Sequence, residues 1–268
     1  MAVSKGKATK VGKNRNSVEK AAKAKKSINS LTAEGLVAAL KKFQSKDELQ
    51  KIRRYFKSGK GEYGEGDQFL GVKMGKVFDL AAKYSEMSII EIGKLLSSPL
   101  HEIRAAGVSI MDKEGRSNKT SDERRKEMYD LYLKRTDAVN NWDLVDLGSP
   151  YIVGRYLFDK PRTVLHKLAR SKSIWERRIA IVSTAYFLRR GETSETFRVA
   201  ELLVQDKEDL IHKAVGGWIR EAGKKYPEKL EAFLNIHAPD MPRTMLRIAC
   251  EKLDKKQKDF YLRINEGD

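Results

Sequence analysis

After Ser30 the apolar residues of this chain recur at helical spacing almost without a break, and that periodicity limits the fold more than any other feature. Leu36, Leu40 and Phe43 fit one helix face, and Leu49, Ile52, Tyr55 and Phe56 fit another. Val77, Leu80, Ala81 and Tyr84 follow, then Ile89, Ile92, Leu95 and Leu96. No stretch alternates with period two, and no Asn-Gly turn joins two apolar runs, so strands and hairpins are not expected. Prolines stand where helices are expected to start or stop: Pro99, Pro150, Pro161, Pro227, Pro239 and Pro242. One clear break, rich in glycine and charge, runs from Ser58 to Gln68. The reading is all-α.

Four segments resemble one another. They begin at His101, Trp175, Ile211 and Pro242, and each sets a basic residue early in a helix with small residues just after it. Marked by Arg104, Arg178, Lys213 and Arg243, the first gap is about twice each of the other two. Spacing of roughly 30–47 residues in an all-α chain is that of stacked helix pairs, as in HEAT-type solenoids. The expected architecture is an α-solenoid of HEAT-like helical repeats, curved around a basic concave cleft. The alternative is ordinary helix patterning in an irregular bundle.

Charge gives the partner class. The 268 residues carry 54 Lys+Arg against 37 Asp+Glu, a net charge of +17. Such an excess favours a polyanion, with nucleic acid first and an anionic membrane surface second. Nine basic residues and one acidic residue fall in residues 1–30, which are expected to form a disordered basic tail. Residues 31–268 are expected to form a single α-helical domain that keeps a positive excess of its own. Cys250 stands alone, so a disulfide scaffold is excluded and a reducing, intracellular setting is expected. No apolar run approaches the roughly 20 residues that span a bilayer.

Candidate chemistry is sparse. His101, His166, His212 and His237 share no ligand spacing, so no metal is expected. Gly59-Lys-Gly-Glu-Tyr-Gly64 matches a dinucleotide fingerprint, but that mechanism needs a preceding strand, and here a helix precedes. A flexible loop is expected, with no cofactor. The stretch Asn140-Asn-Trp-Asp-Leu-Val-Asp146 carries more. Either asparagine can cap a helix, which puts Trp142 and Asp146 four residues apart on one face. An aromatic face beside a carboxylate suits a developing cation, such as the oxocarbenium-like sugar of N-glycosidic cleavage. A base made cationic by alkylation leaves without a strong general acid. The alternative is that Trp142 anchors packing and that Asp143 and Asp146 are cap or salt-bridge partners.

These blocks, with Tyr55-Phe56, Phe69-Leu-Gly-Val72, Trp175-Glu-Arg-Arg-Ile-Ala-Ile181 and His212-Lys-Ala-Val-Gly216, resemble the AlkD-like family of DNA alkylation repair proteins, the HEAT-like-repeat DNA glycosylases. The resemblance runs from about Leu36 to Leu253. It implies a DNA-alkylpurine glycosylase acting as a monomer on duplex DNA that carries alkylated bases. It also implies Asp146 and Trp142 as active-site residues and Arg178 as the cleft arginine. The family places a second tryptophan directly after the glycine matching Gly216; here that position is Gly217 and the tryptophan is Trp218. Trp218 is expected to partner Trp142 in the active site, although one residue is about 100° of helix rotation and turns it away from the lesion unless the helix is distorted. Arg178, Lys213, Arg104 and Arg243 are expected to hold phosphates, and Tyr55 to contact DNA. The rival readings are a non-catalytic binder of damaged or branched DNA and a scaffold for an acidic protein.

Overall fold

The computed structural model describes residues 31–264, so the tail expected over residues 1–30 lies outside the described residues. Along the chain run α1 (Ala33–Lys41), α2 (Lys46–Tyr55), α3 (Met74–Lys83), α4 (Ile89–Leu96), α5 (His101–Arg116), α6 (Asp122–Lys134) and α7 (Trp142–Gly148). Helix α7 continues as a π-helical turn, Ser149–Gly154. Then follow α8 (Thr163–Ala169), α9 (Ile174–Ser183), α10 (Ala185–Arg189), α11 (Ser194–Leu203), α12 (Asp209–Gly223), α13 (Pro227–His237), α14 (Arg243–Ala249) and α15 (Lys255–Ile264). No strand forms among the described residues beyond an isolated bridge between Gln68 and Leu100.

Local chemistry sets the helix starts. The side chains of Thr32, Ser45, Ser88, Ser121 and Ser173 each accept the backbone N–H three residues on. This satisfies one of the four amide donors that a helix start leaves unpaired. Pro227 opens the first turn of α13, where its missing N–H costs nothing. Pro150 does not mark a helix boundary as expected. It sits where the α register of α7 gives way to the π turn, because a proline offers no N–H for the regular bond. Phe43 also departs from its expected face. Helix α1 ends at Lys41, and the ring lies exposed in the turn beyond.

The helices form an all-α repeat. Helices α3, α5, α7 with its π turn, α9, α12 and α14 make one row, each lying against the next. Helices α1, α4, α6, α8, α11 and α13 cover that row. One apolar core runs through both rows, from Ala33 to Tyr261. The four look-alike segments are α5, α9, α12 and α14, all in the first row. The long first gap between them is filled by α7, which carries the Asn-Asn-Trp-Asp motif. Helix α5 sits centrally and buries nearly every residue from His101 to Asp112. Helix α2 instead buries Ile52 and Phe56 in a second, smaller cluster with Phe69, against which Leu49 and Trp142 rest.

One buried group holds the segment before α3 in place. The Glu102 carboxylate accepts the backbone N–H of Leu70, Gly71 and Val72 at 2.8, 2.8 and 3.2 Å. Three donors satisfy a charge that burial alone would make costly. The Phe69-Leu-Gly-Val72 block is thereby fixed to α5.

Candidate active site

The start of α7 rests on a buried polar network. Asn141 is the N-cap, its side-chain oxygen accepting the Trp142 N–H at 2.8 Å. Its amide nitrogen donates to Asp67 at 3.0 Å, and Asn140 donates to the same carboxylate at 3.2 Å. His101, fully buried, bonds Asp143 at 2.8 Å and lies 3.7 Å from Asp67. Burial works to lower the His101 pKa, but its hydrogen bond to Asp143 and the nearby Asp67 carboxylate outweigh it and raise the pKa to about 9. For Asp67, burial works upward, while His101, Asn141 and Arg104 hold its carboxyl down at about 2. A charged imidazolium between two carboxylates therefore underpins the motif.

Trp142 and Asp146 stand one turn apart on α7, in different surroundings. Trp142 is half-buried, with its ring centroid 5.7 Å from Tyr55 and 5.9 Å from Phe56. Its indole N–H donates to the Tyr63 hydroxyl at 3.1 Å. The Asp146 side chain is 40% exposed. Both its oxygens accept from Arg178, at 2.9 Å from Nε and 2.8 Å from Nη2. Arg178 is in turn pinned through Nη1 to the Leu210 carbonyl at 2.7 Å. This fork geometry fixes the carboxylate in orientation while leaving further lone pairs open.

Asp146 and Arg178 open into a cavity of about 570 Å³ between α7, α9, α10 and α12. Arg189, Lys213, Arg220 and Lys225 line the same cavity, with Glu221 the other acid. Lys213 pairs with Asp209 at 2.6 Å in an exposed contact of the kind that contributes little. Gly217 and Trp218 both face the cavity. Gly216, one residue earlier, is the point of close approach: a Cβ there would stand 2.6 Å from the Met245 carbonyl oxygen of α14. A Cβ at Gly217 would meet nothing within 4 Å.

A family model for the DNA alkylation repair enzyme family matches residues 36–253. The chain belongs to that family. No curated protein matches it. Among solved structures it is similar to smu.31 from Streptococcus mutans UA159, at 18% identity over 88% of this chain and 98% of that one, with a TM-score of 0.44. It is also similar to AlkD2 from Streptococcus mutans, at 18% identity over 88% of this chain and 98% of that one, with a TM-score of 0.43.

For this family member the site expectations divide. Lys213 and Trp218 line the cavity with Asp146, and the one-residue displacement of the tryptophan does not turn it away. The physical reason is that the cavity-facing stripe of α12 is wide enough to hold neighbouring positions 217 and 218 together. Tyr55, 63% exposed, stands edge-on to Trp142 outside the cavity, and Trp142 does not line the cavity either. Arg178 lines the cavity too, with both Asp146 oxygens and the Leu210 carbonyl as its partners.

Arg104 spends its donors inside the protein. It is 4% exposed, and its five donors go to Ala138 O, Ser98 O, Pro99 O, Asp67 and Asn140. Its structural counterpart is Arg177, which likewise bonds two carbonyls of its own preceding loop, Ser171 and Lys172, and an acid of the next loop, Asp206. The repeats are thus offset by one residue from the sequence alignment of Arg104 with Arg178. Arg243 donates to the Leu262 carbonyl of α15 and does not line the cavity.

Residues that the sequence did not single out for the site are Asp67, His101, Tyr63, Arg189 and Lys225. The adjacent asparagines were a visible cap signal. The basic residues at the ends of α10 and α12 carried no signal, since cations are common in any last helical turn.

Proposed function

We propose that this protein excises cationic N-alkylated purines from duplex DNA by hydrolysing the N-glycosidic bond. One observation carries the reading. Asp146 is a half-exposed carboxylate, oriented by a bidentate arginine, in a cavity whose other charged residues are cations except for Glu221. The cationic rim suits the phosphates on either side of a lesion. The carboxylate suits the positive charge that grows on the sugar as the base leaves, and its free lone pairs suit a water held for attack at the anomeric carbon. Trp218 in the cavity and Trp142 on the turn before Asp146 offer aromatic faces of the kind that stabilise a cation. The alkylated purine departs neutral, taking the bonding electron pair, so no general acid is required.

The test is Asp146→Asn, assayed by single-turnover release of methylated purine from alkylated duplex. The expected rate falls at least about 100-fold, the size of one electrostatic or general-base contribution, with duplex affinity retained. Release at the wild-type rate would overturn the mechanism. A second reading is favoured by the open space at Gly217, where the resembled family carries a tryptophan. On that reading the protein binds damaged or branched DNA without cleaving it. Wild-type protein that holds methylated duplex and frees no purine would establish this instead.

A further inference from the structure

Residues 57–67, which include the Gly59–Gly64 stretch expected to be a flexible loop, are tied to the start of α7 at two points. At the far end, Asp67 accepts from Arg104, Asn141 and Asn140 at 2.7, 3.0 and 3.2 Å. In mid-loop, the Tyr63 oxygen accepts the Trp142 indole N–H at 3.1 Å and donates to the Tyr55 carbonyl at 3.4 Å. The loop between is ordered by its own bonds. Glu62 takes the Gly59 N–H at 2.8 Å and Glu65 takes the Gly61 N–H at 2.7 Å. Gly64 is required where the chain folds back on α2, since a Cβ there would lie 2.5 Å from the Phe56 carbonyl oxygen. The glycine spacing that imitates a dinucleotide fingerprint thus serves to deliver one tyrosine to one tryptophan.

We propose that Tyr63 is a positioning residue for Trp142, taking the indole N–H so that the indole meets a bound nucleotide through its ring face alone. This rests on the excision reading given above. An indole N–H is a donor with no acceptor capacity, and it can serve only one good partner at a time. With Tyr63 as that partner, Trp142 has no donor left for a phosphate oxygen. What remains is the negative face of the ring, which suits sugar C–H groups and a cationic sugar carbon. The tyrosine ring is itself held, edge-on to Trp175 at 6.5 Å, while Trp142 stands edge-on to Tyr55 at 5.7 Å. Tyr55, Trp142, Tyr63 and Trp175 make a continuous aromatic row from α2 across α7 to α9, on the turn before Asp146.

The experiment uses the full chain with Tyr63→Phe, which keeps the ring and removes the hydroxyl. The 15N-labelled indole resonance of Trp142 is assigned by its loss in Trp142→Phe. The expected result is water exchange of the indole N–H about tenfold faster in Tyr63→Phe, with the melting temperature lowered by no more than about 6 °C. Single-turnover purine release at saturating protein is expected to slow about three- to tenfold, the size of one net hydrogen bond. Unchanged indole exchange overturns the proposal, and so does wild-type release beside an altered indole signal. Should the wild type free no purine, the excision reading fails while this one is still decided. Methylated duplex must then shift the Trp142 ring signals of the wild type, and unshifted ring signals overturn it.

Discussion

Arg104→Met separates an internal bracket from a phosphate contact, because the two roles predict opposite changes in two measurements. The substitution keeps an apolar stem of similar length and removes five hydrogen bonds, one of them the 2.7 Å ion pair to Asp67. Asp67 is left 3% exposed with less to neutralise it. Breaking a buried pair from one side costs about 3–5 kcal/mol. For a chain of this size each kcal/mol moves the midpoint by about 2–4 °C, so the melting temperature is expected to fall by roughly 6–20 °C. The second measurement is duplex affinity across salt, taken below the variant's melting range. A protein loses about 0.9 from the slope of log affinity against log salt for each phosphate contact removed. Arg104→Met is expected to leave the slope unchanged, while Lys213→Gln reduces it by about 0.9 and leaves melting alone. An Arg104→Met protein that melts like the wild type and shows the shallower slope would refute the assignment of Arg104 as a bracket.

Two further outcomes follow from the same geometry. Gly216→Ala forces a Cβ to 2.6 Å from the Met245 carbonyl oxygen and is expected to destabilise by about 1–3 kcal/mol in urea titration. Gly217→Ala enters open space and is expected to stabilise by up to about 1 kcal/mol through helix propensity; equal effects at the two positions would contradict the reported packing of α12 on α14. His101 titrates at about 9, above its ordinary 6.5, so its contribution is fully present below pH 6.5 and is lost as pH rises through 9. That contribution is about 3 kcal/mol, and wild type is expected to lose more melting temperature than His101→Gln between pH 6 and 9.5. Parallel melting curves for the two proteins over that window would show that no charged imidazolium braces α7.

The helical row and its repeats were legible because apolar period and small-residue positions are local features of the chain. The four look-alike segments do occupy one row, and α7 fills the double gap. Asp146 and Trp142 were legible as a pair because four residues make one helical turn. The roles of the basic residues were not legible. Arg104 and Arg178 read alike in sequence, yet one spends every donor on loop carbonyls and neighbouring polar groups while the other grips a carboxylate from an adjacent repeat. Tyr63 was hidden inside a glycine pattern that matched a different mechanism.

Periodicity by itself determined that this chain would be helical and repetitive, since both depend on residues a turn or a repeat apart, and composition determined that it would be cationic. Only the assembled rows decided which charges remain available to a ligand. A guanidinium satisfies whichever acceptors lie within reach, and those acceptors come from loops and helices about 30–40 residues away that the local pattern does not place.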